Sequence, residues 1–326
     1  MNRLRGTLKA ATLSALELSG CYSLASLYRK SRLLVACYHG VLSQDHSADP
    51  ALYGNTVSAA EFADQLEFLG GWFEFVDLAG AMKWLQDGPQ TSKPPVLITF
   101  DDGYRNNLTV AAPILRRVGA PAVFFLTTGY IGTGRLLWPL ELEARLVQSH
   151  PGPEGRRLAF ERRAYCKSVP NASRLAYLDE LRASTMLDPG AIDREMNDFL
   201  TWDEVRQLAV LGFDLGSHTV EHPMLSRLTP SELRQELTES RARIASETGS
   251  QISVIAYPNG ETSDLTPVVR AASAEAGYTH AFAVGGHFST RSDDPFAIRR
   301  WIVYGHQPPS IFRFTVSGLR DLIGFS

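Results

Sequence analysis

The chain has 326 residues, 44% hydrophobic and 21% charged, ordinary values for a globular protein with a sizeable core. With 32 basic against 35 acidic residues, its formal net charge of −3 argues against a nucleic-acid-binding surface spread over the molecule. Three cysteines, Cys21, Cys37 and Cys166, are too few and odd in number for a disulfide framework, which fits a reducing compartment.

Residues 1–31 place Arg3, Arg5 and Lys9 ahead of a mostly apolar stretch in which Leu4/Leu8, Leu13/Leu16 and Leu24/Leu27 recur at helical spacing. The apolar run falls short of the ~20 residues a spanning helix needs, and Glu17 interrupts it. An amphipathic helix able to touch a membrane surface is therefore expected. Leu18-Ser19-Gly20-Cys21 also resembles a bacterial lipoprotein cleavage box. The expected location is cytoplasmic or peripheral at the inner membrane, with an exported lipoprotein anchored through Cys21 as the alternative.

From Arg32 strands and helices alternate. Leu33 to Tyr38 is a predicted strand, followed by His39-Gly40 and a polar loop. Ser58-Ala59-Ala60-Glu61 is a capping box before a helix with Phe62, Leu66 and Leu69 on one face. Phe73 to Val76 reads as a strand, Leu78 to Leu85 as a helix and Val96 to Phe100 as a buried strand ending in Asp101-Asp102. A helix from Asn107 to about Gly119 precedes a strand over Ala122 to Leu126. Between about 130 and 200 the rhythm breaks into helical patterns around the Pro151-Gly152-Pro153-Glu154-Gly155 turn, which predicts a mainly helical insertion overhanging the site. Alternation resumes with the capped helix after Thr201, a strand over Phe213 to Gly216, and a long helix starting at Thr229-Pro230-Ser231-Glu232. A strand over Val254 to Tyr257, a helix over Pro267 to Ala276, and strands over His280 to Val284 and Ile298 to Tyr304 complete it. The expected organisation is an N-terminal helical segment (1–31), an alternating unit (32–308) with its insertion, and a C-terminal segment (309–326). Its sheet is parallel, open or closed into a barrel, and such barrels reach ~250 residues as one domain.

In folds of this kind, groups that do chemistry gather beyond the carboxyl ends of the strands. His39, Asp101, Asp102, His218, His222 and Asn259 all fall there. Adjacent carboxylates repel and are costly to bury unless a cation or donors hold them, so Asp101 and Asp102 suggest a metal on one and a proton on the other. His218 and His222, four residues apart, are expected on one face of a helical turn, close enough to share an ion. One carboxylate with two imidazoles leaves open coordination positions, a catalytic rather than structural type of site. Plainer readings exist for each: a turn pair for the aspartates, turn chemistry for Asn259 in Pro258-Asn259-Gly260, a core histidine for His39, an ordinary ion pair for Arg300, and, against stacking on sugar rings, core filling for Trp138 and Trp301.

The segments Thr99-Phe100-Asp101-Asp102-Gly103-Tyr104, Ser217-His218-Thr219-Val220-Glu221-His222-Pro223 and Tyr257-Pro258-Asn259-Gly260 together resemble the polysaccharide deacetylases of the NodB-homology type, carbohydrate esterase family four. The likeness runs from about Leu33 to Tyr304. Tyr38-His39-Gly40 and Leu136-Leu137-Trp138 look like the branch associated with exopolysaccharides and the cell envelope. The resemblance implies a distorted (β/α) barrel and removal of N-acetyl groups from an amino-sugar polysaccharide or lipid-linked glycan. Asp101 would be the general base activating a metal-bound water. Asp102, His218 and His222 would hold a divalent ion, zinc first, with cobalt or nickel as alternatives. A backbone N–H at Asn259 would face the oxyanion. Many members place an arginine where Ala256 stands here, and Arg300 resembles the arginine other branches carry on a late strand to orient the base. The usual leucine-to-histidine motif that supplies a general acid is not evident; His39, His287 and His306 are the substitutes in the chain. The competing readings are an O-acetyl esterase or small-amide hydrolase on the same scaffold, and a weakly active carbohydrate-binding homologue. The expected partner is an N-acetylated glycan, with no nucleic acid; the sequence leaves the oligomeric state open.

Overall fold

Short strands buried on both faces alternate with helices that carry one apolar stripe, and this pairing curls the sheet until its edges meet. The computed structural model describes residues 25–44, 55–89, 92–286, 288–305 and 307–322. Most of the expected N-terminal helix therefore lies outside the described residues, as do Cys21, His287 and His306; its described end is α1 (Ser26–Lys30).

The strands are β1 (Leu33–Tyr38), β2 (Gly40–Leu42), β3 (Thr56–Ser58), β4 (Glu74–Phe75), β5 (Pro95–Phe100), β6 (Ala122–Leu126), β7 (Asp214–Ser217), β8 (Val254–Ala256), β9 (His280–Val284), β10 (Phe288–Ser289) and β11 (Ile298–Ile302). The helices beside them are α2 (Ala59–Trp72), α3 (Leu78–Asp87), α4 (Ala112–Val118), α5 (Trp138–Ser149), α6 (Pro153–Ser168), α7 (Asn171–Ser184), α8 (Trp202–Val210), α9 (Pro230–Thr248), α10 (Pro267–Glu275) and α11 (Pro309–Val316). Strands β5, β6, β7, β8, β9, β11 and β1 pair in parallel in that order, and β1 returns to β5 from Leu34 opposite Val96 to Tyr38 opposite Phe100. The result is a closed seven-stranded barrel. It is distorted where β8 meets β7, because the three-residue β8 gives only the pair Ser217 and Ile255. Both loops that leave this thin seam carry site residues.

Alternation along the strands sorts side chains to two cores. Leu33, Val35, Leu97, Val123, Phe125, Val254, Phe282 and Ile298 fill the barrel, closed from below by Ala81 and Trp84 of α3. Leu34, Ala36, Val96, Ile98, Phe100 and Phe124 face outward under Phe62, Leu66 and Leu69 of α2 and Leu233 and Leu237 of α9. Helix ends follow local chemistry: Ser58, Thr201 and Thr229 make capping boxes with Glu61, Glu204 and Glu232, and α9 stops at Gly249 in the left-handed region. The helix expected from Asn107 opens instead as a π turn over Asn107–Ala111, with the Ala112 N–H reaching back to the Asn107 carbonyl. Pro113, which has no N–H to give, follows at once. β2, β3 and β10, which are only two or three residues long, carry too little pattern to be seen in sequence.

Between β6 and β7 the chain leaves the barrel to form α5, α6 and α7. These pack on each other through Trp138, Leu142, Leu146, Ala159, Cys166, Leu178 and Leu181, a small core of their own.

Candidate active site

β5 delivers Asp101 and Asp102 to the carboxyl end of the barrel, where they turn opposite ways. Asp101 continues the strand, its N–H bonded to the Tyr38 carbonyl, and points to the barrel interior. There Arg300 of β11, fully buried, grips it with two bonds, Nη1 to Oδ1 at 2.6 Å and Nη2 to Oδ2 at 2.7 Å. Burial by itself would push the Asp101 carboxyl up; the Arg300 charge prevails and holds it well below the usual carboxylate range. The Cys37 thiol, 3.5 Å from Oδ2, completes the surroundings.

Asp102 is reached through a left-handed turn, φ 73° at Asp102 and 90° at Gly103. Aspartate tolerates this region and glycine is required next: a side chain on Gly103 would sit 3.1 Å from Leu126 and Ile131. The turn aims Asp102 Oδ1 at two imidazoles, 3.5 Å from Nε2 of His218 and 3.5 Å from Nε2 of His222. Oδ1 is buried and has no hydrogen-bond partner. Burial raises the pKa of this carboxyl. An orphaned carboxylate oxygen is expensive, and its position between two ring nitrogens is what a cation would correct.

The histidines do not share a helical turn, contrary to the sequence expectation. Residues 218–224 form a loop in which Thr219 (φ 70°) and His222 (φ 51°) adopt left-handed backbone, so their separation of four reflects loop closure rather than helical rise. The rings still meet, with centroids 4.8 Å apart. Left-handed threonine is strained, and several bonds hold it there. Thr128 and Gly129 N–H donate to the Thr219 and Val220 carbonyls, Val220 and Glu221 N–H donate to Glu236 Oε2 of α9, and the Trp138 indole N–H donates to the His222 carbonyl at 2.8 Å. A Cβ on Gly129 would fall 2.7 Å from the Val220 carbonyl, so only glycine permits this approach.

His218 Nδ1 lies 2.7 Å from the Ala256 carbonyl. With its proton given to that oxygen, Nε2 presents a lone pair toward Asp102, the arrangement of a metal-ligating histidine. Burial and the neighbouring His218 keep the His222 pKa well below its usual value, hence neutral. Asp102, His218 and His222 offer ligand atoms all within 4.8 Å of one another. Donor types, neutral imidazoles and the unsatisfied oxygen fit a divalent ion.

The other candidates surround a cavity of about 450 Å³. His39, half-buried, lines it, and its Nδ1 is itself buried and without a partner. Asn259 sits in the turn after β8 at φ 60°, its side chain clamped between Lys167 Nζ and Asp264 Oδ2, both at 2.6 Å. Trp138 is buried and pins the histidine loop, and Trp301 packs on Phe312 under the barrel wall; neither offers a free face for stacking on a sugar. Lys167, Phe160 and Arg163 of α6 also line the cavity. No motif marks them, though their common helical face was visible as spacing in the sequence. Among the described residues, the four non-glycine positions with left-handed φ are Asp102, Thr219, His222 and Asn259. All belong to this mouth.

A family profile described as polysaccharide deacetylase matches residues 88–281. YxkH of Bacillus subtilis (strain 168), provisionally named a polysaccharide deacetylase, is 23% identical over 236 residues, 67% of this chain. The chain spans 61% of that relative's length. Among solved structures it is similar to the Streptococcus pyogenes deacetylase PplD in complex with acetate, with TM-score 0.59, 16% identity, and 86% of this chain and 97% of that one covered. IcaB from Ammonifex degensii gives TM-score 0.59 at 19% identity over 88% and 97%. A de-N-acetylase from Aggregatibacter actinomycetemcomitans gives 0.58 at 18% over 86% and 99%. At these identities the likeness establishes the fold, a distorted (β/α) barrel of the NodB-homology type.

Proposed function

We propose, for a chain that belongs to the polysaccharide deacetylase family, that residues 32–308 catalyse metal-dependent hydrolysis of N-acetyl groups on an amino-sugar polysaccharide or lipid-linked glycan. The observation that carries this is the orphaned Asp102 oxygen between two imidazole Nε2 atoms, beside a second carboxylate tethered by a buried arginine.

Asp102, His218 and His222 would hold the ion, zinc being the first expectation for nitrogen and oxygen donors, with cobalt or nickel as alternatives. When bound, it supplies the Lewis acidity that makes water nucleophilic near neutral pH and polarises the amide carbonyl. Asp101 accepts the proton of the attacking water: its pKa keeps it ionised at neutral pH, and the two-pronged Arg300 contact fixes its orientation. The Asn259 N–H faces the oxyanion that develops on the acetyl oxygen. His39, on the cavity wall, returns a proton to the departing amine. Acetate and a free amino sugar are the products. The cavity, about 450 Å³, accommodates a sugar unit with its acetamido arm.

Acetate release from a panel of N-acetylated glycans, with metal content measured on the same protein, tests the proposal. Turnover should vanish with a chelator, return with added metal, and be lost in Asp101→Asn. An Asp101→Asn protein that retains turnover removes the base assignment; turnover indifferent to the chelator removes the metal.

A further inference from the structure

One wall of the cavity is unexplained by deacetylation of a neutral sugar. α6 brings Phe160, Arg163 and Lys167 to it, at spacings of three and four residues that put them on one helix face. Phe160 is 68% exposed, large apolar surface left in water at the cavity mouth. Arg163 and Lys167 stand one turn apart, and like charges so placed destabilise a helix. The helix as a whole has five basic residues against two acidic, Glu154 and Glu161.

Of the two cations, Lys167 is the one that the protein's own acids leave unmatched. Arg163 has Glu143 at 3.3 Å. The Lys167 ammonium gives one proton to Asn259 Oδ1 and has two more to give, with no carboxylate within ion-pairing distance among the described residues. Glu261 and Asp264 face it from farther away, and Asp264 is already engaged by Asn259 Nδ2 and Ser226 Oγ. Burial, reinforced by Arg163, draws the Lys167 pKa below its usual value. A partly desolvated cation without a counter-ion, in the wall of a substrate cavity, is a place where an anion gains energy by arriving.

We propose that the glycan taken by this site carries an anionic group, a carboxylate or a phosphate, close to the acetamido group being removed, and that Arg163 and Lys167 recognise it while Phe160 packs on the adjoining sugar ring. This deepens the deacetylase reading and rests on it. Specificity then comes from a helix outside the barrel, while the strand ends supply the chemistry.

Acetate release is to be compared on three oligomers of equal length: neutral N-acetylglucosamine, one alternating with a uronic acid, and one bearing a phosphate monoester. The metal-loaded full chain and its Arg163→Gln, Lys167→Met and Lys167→Arg variants are assayed at low and high salt. One charged oligomer should be preferred about tenfold or more in kcat/KM, mainly through KM, and which one it is distinguishes carboxylate from phosphate. The preference should fall toward unity in Arg163→Gln and Lys167→Met, persist in Lys167→Arg, and shrink with salt. Equal use of all three oligomers, or a preference that survives both neutral substitutions, overturns the inference and leaves the deacetylase reading intact. Should no oligomer release acetate, the deacetylase reading fails. Calorimetric binding of the same oligomers to the same variants then decides the inference by itself.

Discussion

The barrel carries a pair of aspartates at each end, and the two pairs differ in what their neighbours leave undone. At the lower end Asp77 and Asp214 meet the start of α3: Asp77 Oδ1 accepts the Gly80 N–H at 2.7 Å and Asp214 Oδ2 accepts the Leu78 N–H at 3.0 Å. Both carboxylates cap otherwise orphaned helix donors and complement the helix dipole, which accounts for them. At the upper end Asp101 is satisfied by Arg300, whereas Asp102 Oδ1 is satisfied by nothing. Cavity size does not separate the ends, since the lower cavity, lined by Asp77, Arg116 and Phe213, holds about 580 Å³ against about 450 Å³ above. Residual demand does. An acid pair marks a site when burial, left-handed backbone and an unpartnered oxygen coincide, and that coincidence occurs at the upper end.

Removing the demand breaks the comparison most severely. Asp102→Ala should reduce acetate release to background and abolish stabilisation by added metal. For the unsubstituted chain that stabilisation is about 2.7 kcal/mol at a hundredfold excess over Kd. The sign for the metal-free protein is opposite. Burial raises the folded-state carboxyl pKa of Asp102, so its ionisation costs stability as pH rises above the unfolded carboxyl range, near 4. Metal-free Asp102→Asn should therefore melt no lower than the parent at pH 7. Melting curves with and without zinc check both, and an equal zinc shift in parent and variant would falsify the ligand assignment.

Arg300→Met sharpens the contrast from the other side, by giving Asp101 the same unmet demand. Breaking one partner from a buried pair costs about 3–5 kcal/mol, and turnover should fall with it because the base loses its orientation. In the variant, burial is no longer opposed by the guanidinium, so the folded carboxyl rises above its unfolded value. The penalty is then present at neutral pH and shrinks as pH falls toward 4 and Asp101 is protonated. Denaturant titrations with chelator at pH 7 and pH 4.5 measure it; a pH-independent loss would point to lost packing against Phe125, 5.4 Å from the guanidinium, instead.

How much of this was readable beforehand divides along the same line. The runs Leu33 to Tyr38, Val96 to Phe100 and Ala122 to Leu126 announced buried strands because every position is apolar or nearly so, and the capping boxes at Ser58, Thr201 and Thr229 announced the helices after them. Asp101, Asp102, His218 and His222 were legible because strand ends concentrate chemistry. Their geometry was not: a spacing of four suggested a helical turn, and only the Glu236, Thr128 and Trp138 contacts, distant in sequence, bend the chain into a left-handed loop instead. The approach of Lys167 to Asn259 was likewise invisible, since 92 residues separate them.

Trp138→Phe tests that long-range control more gently. It removes the indole N–H from the His222 carbonyl and leaves the ring packing mostly in place. Supporting contacts of this kind are worth about tenfold in metal affinity, so zinc titration should show a loss of that order. An unchanged affinity would mean that Glu236 and the loop after β6 hold His222 without help.

The smallest effect belongs to the lower pair, and it decides whether residual demand is the right criterion. Asp77→Ala deletes an N-cap, a loss of about 1 kcal/mol. The loss is lessened here because Asp77 also repels Asp214, whose carboxyl burial has already pushed up. The Leu78 N–H keeps its bond to Asp214, so α3 should still start at the same residue and Trp84 should stay under the barrel floor. Nothing at the mouth leans on Asp77, so kcat/KM for acetate release should stay within about twofold while the denaturation midpoint falls slightly. A tenfold loss of turnover with zinc affinity intact would show that the floor transmits its position to Asp101 through the interior strand residues. An acid pair fully spent on capping would then belong to the working site after all, and counting unsatisfied atoms would no longer be enough to find it.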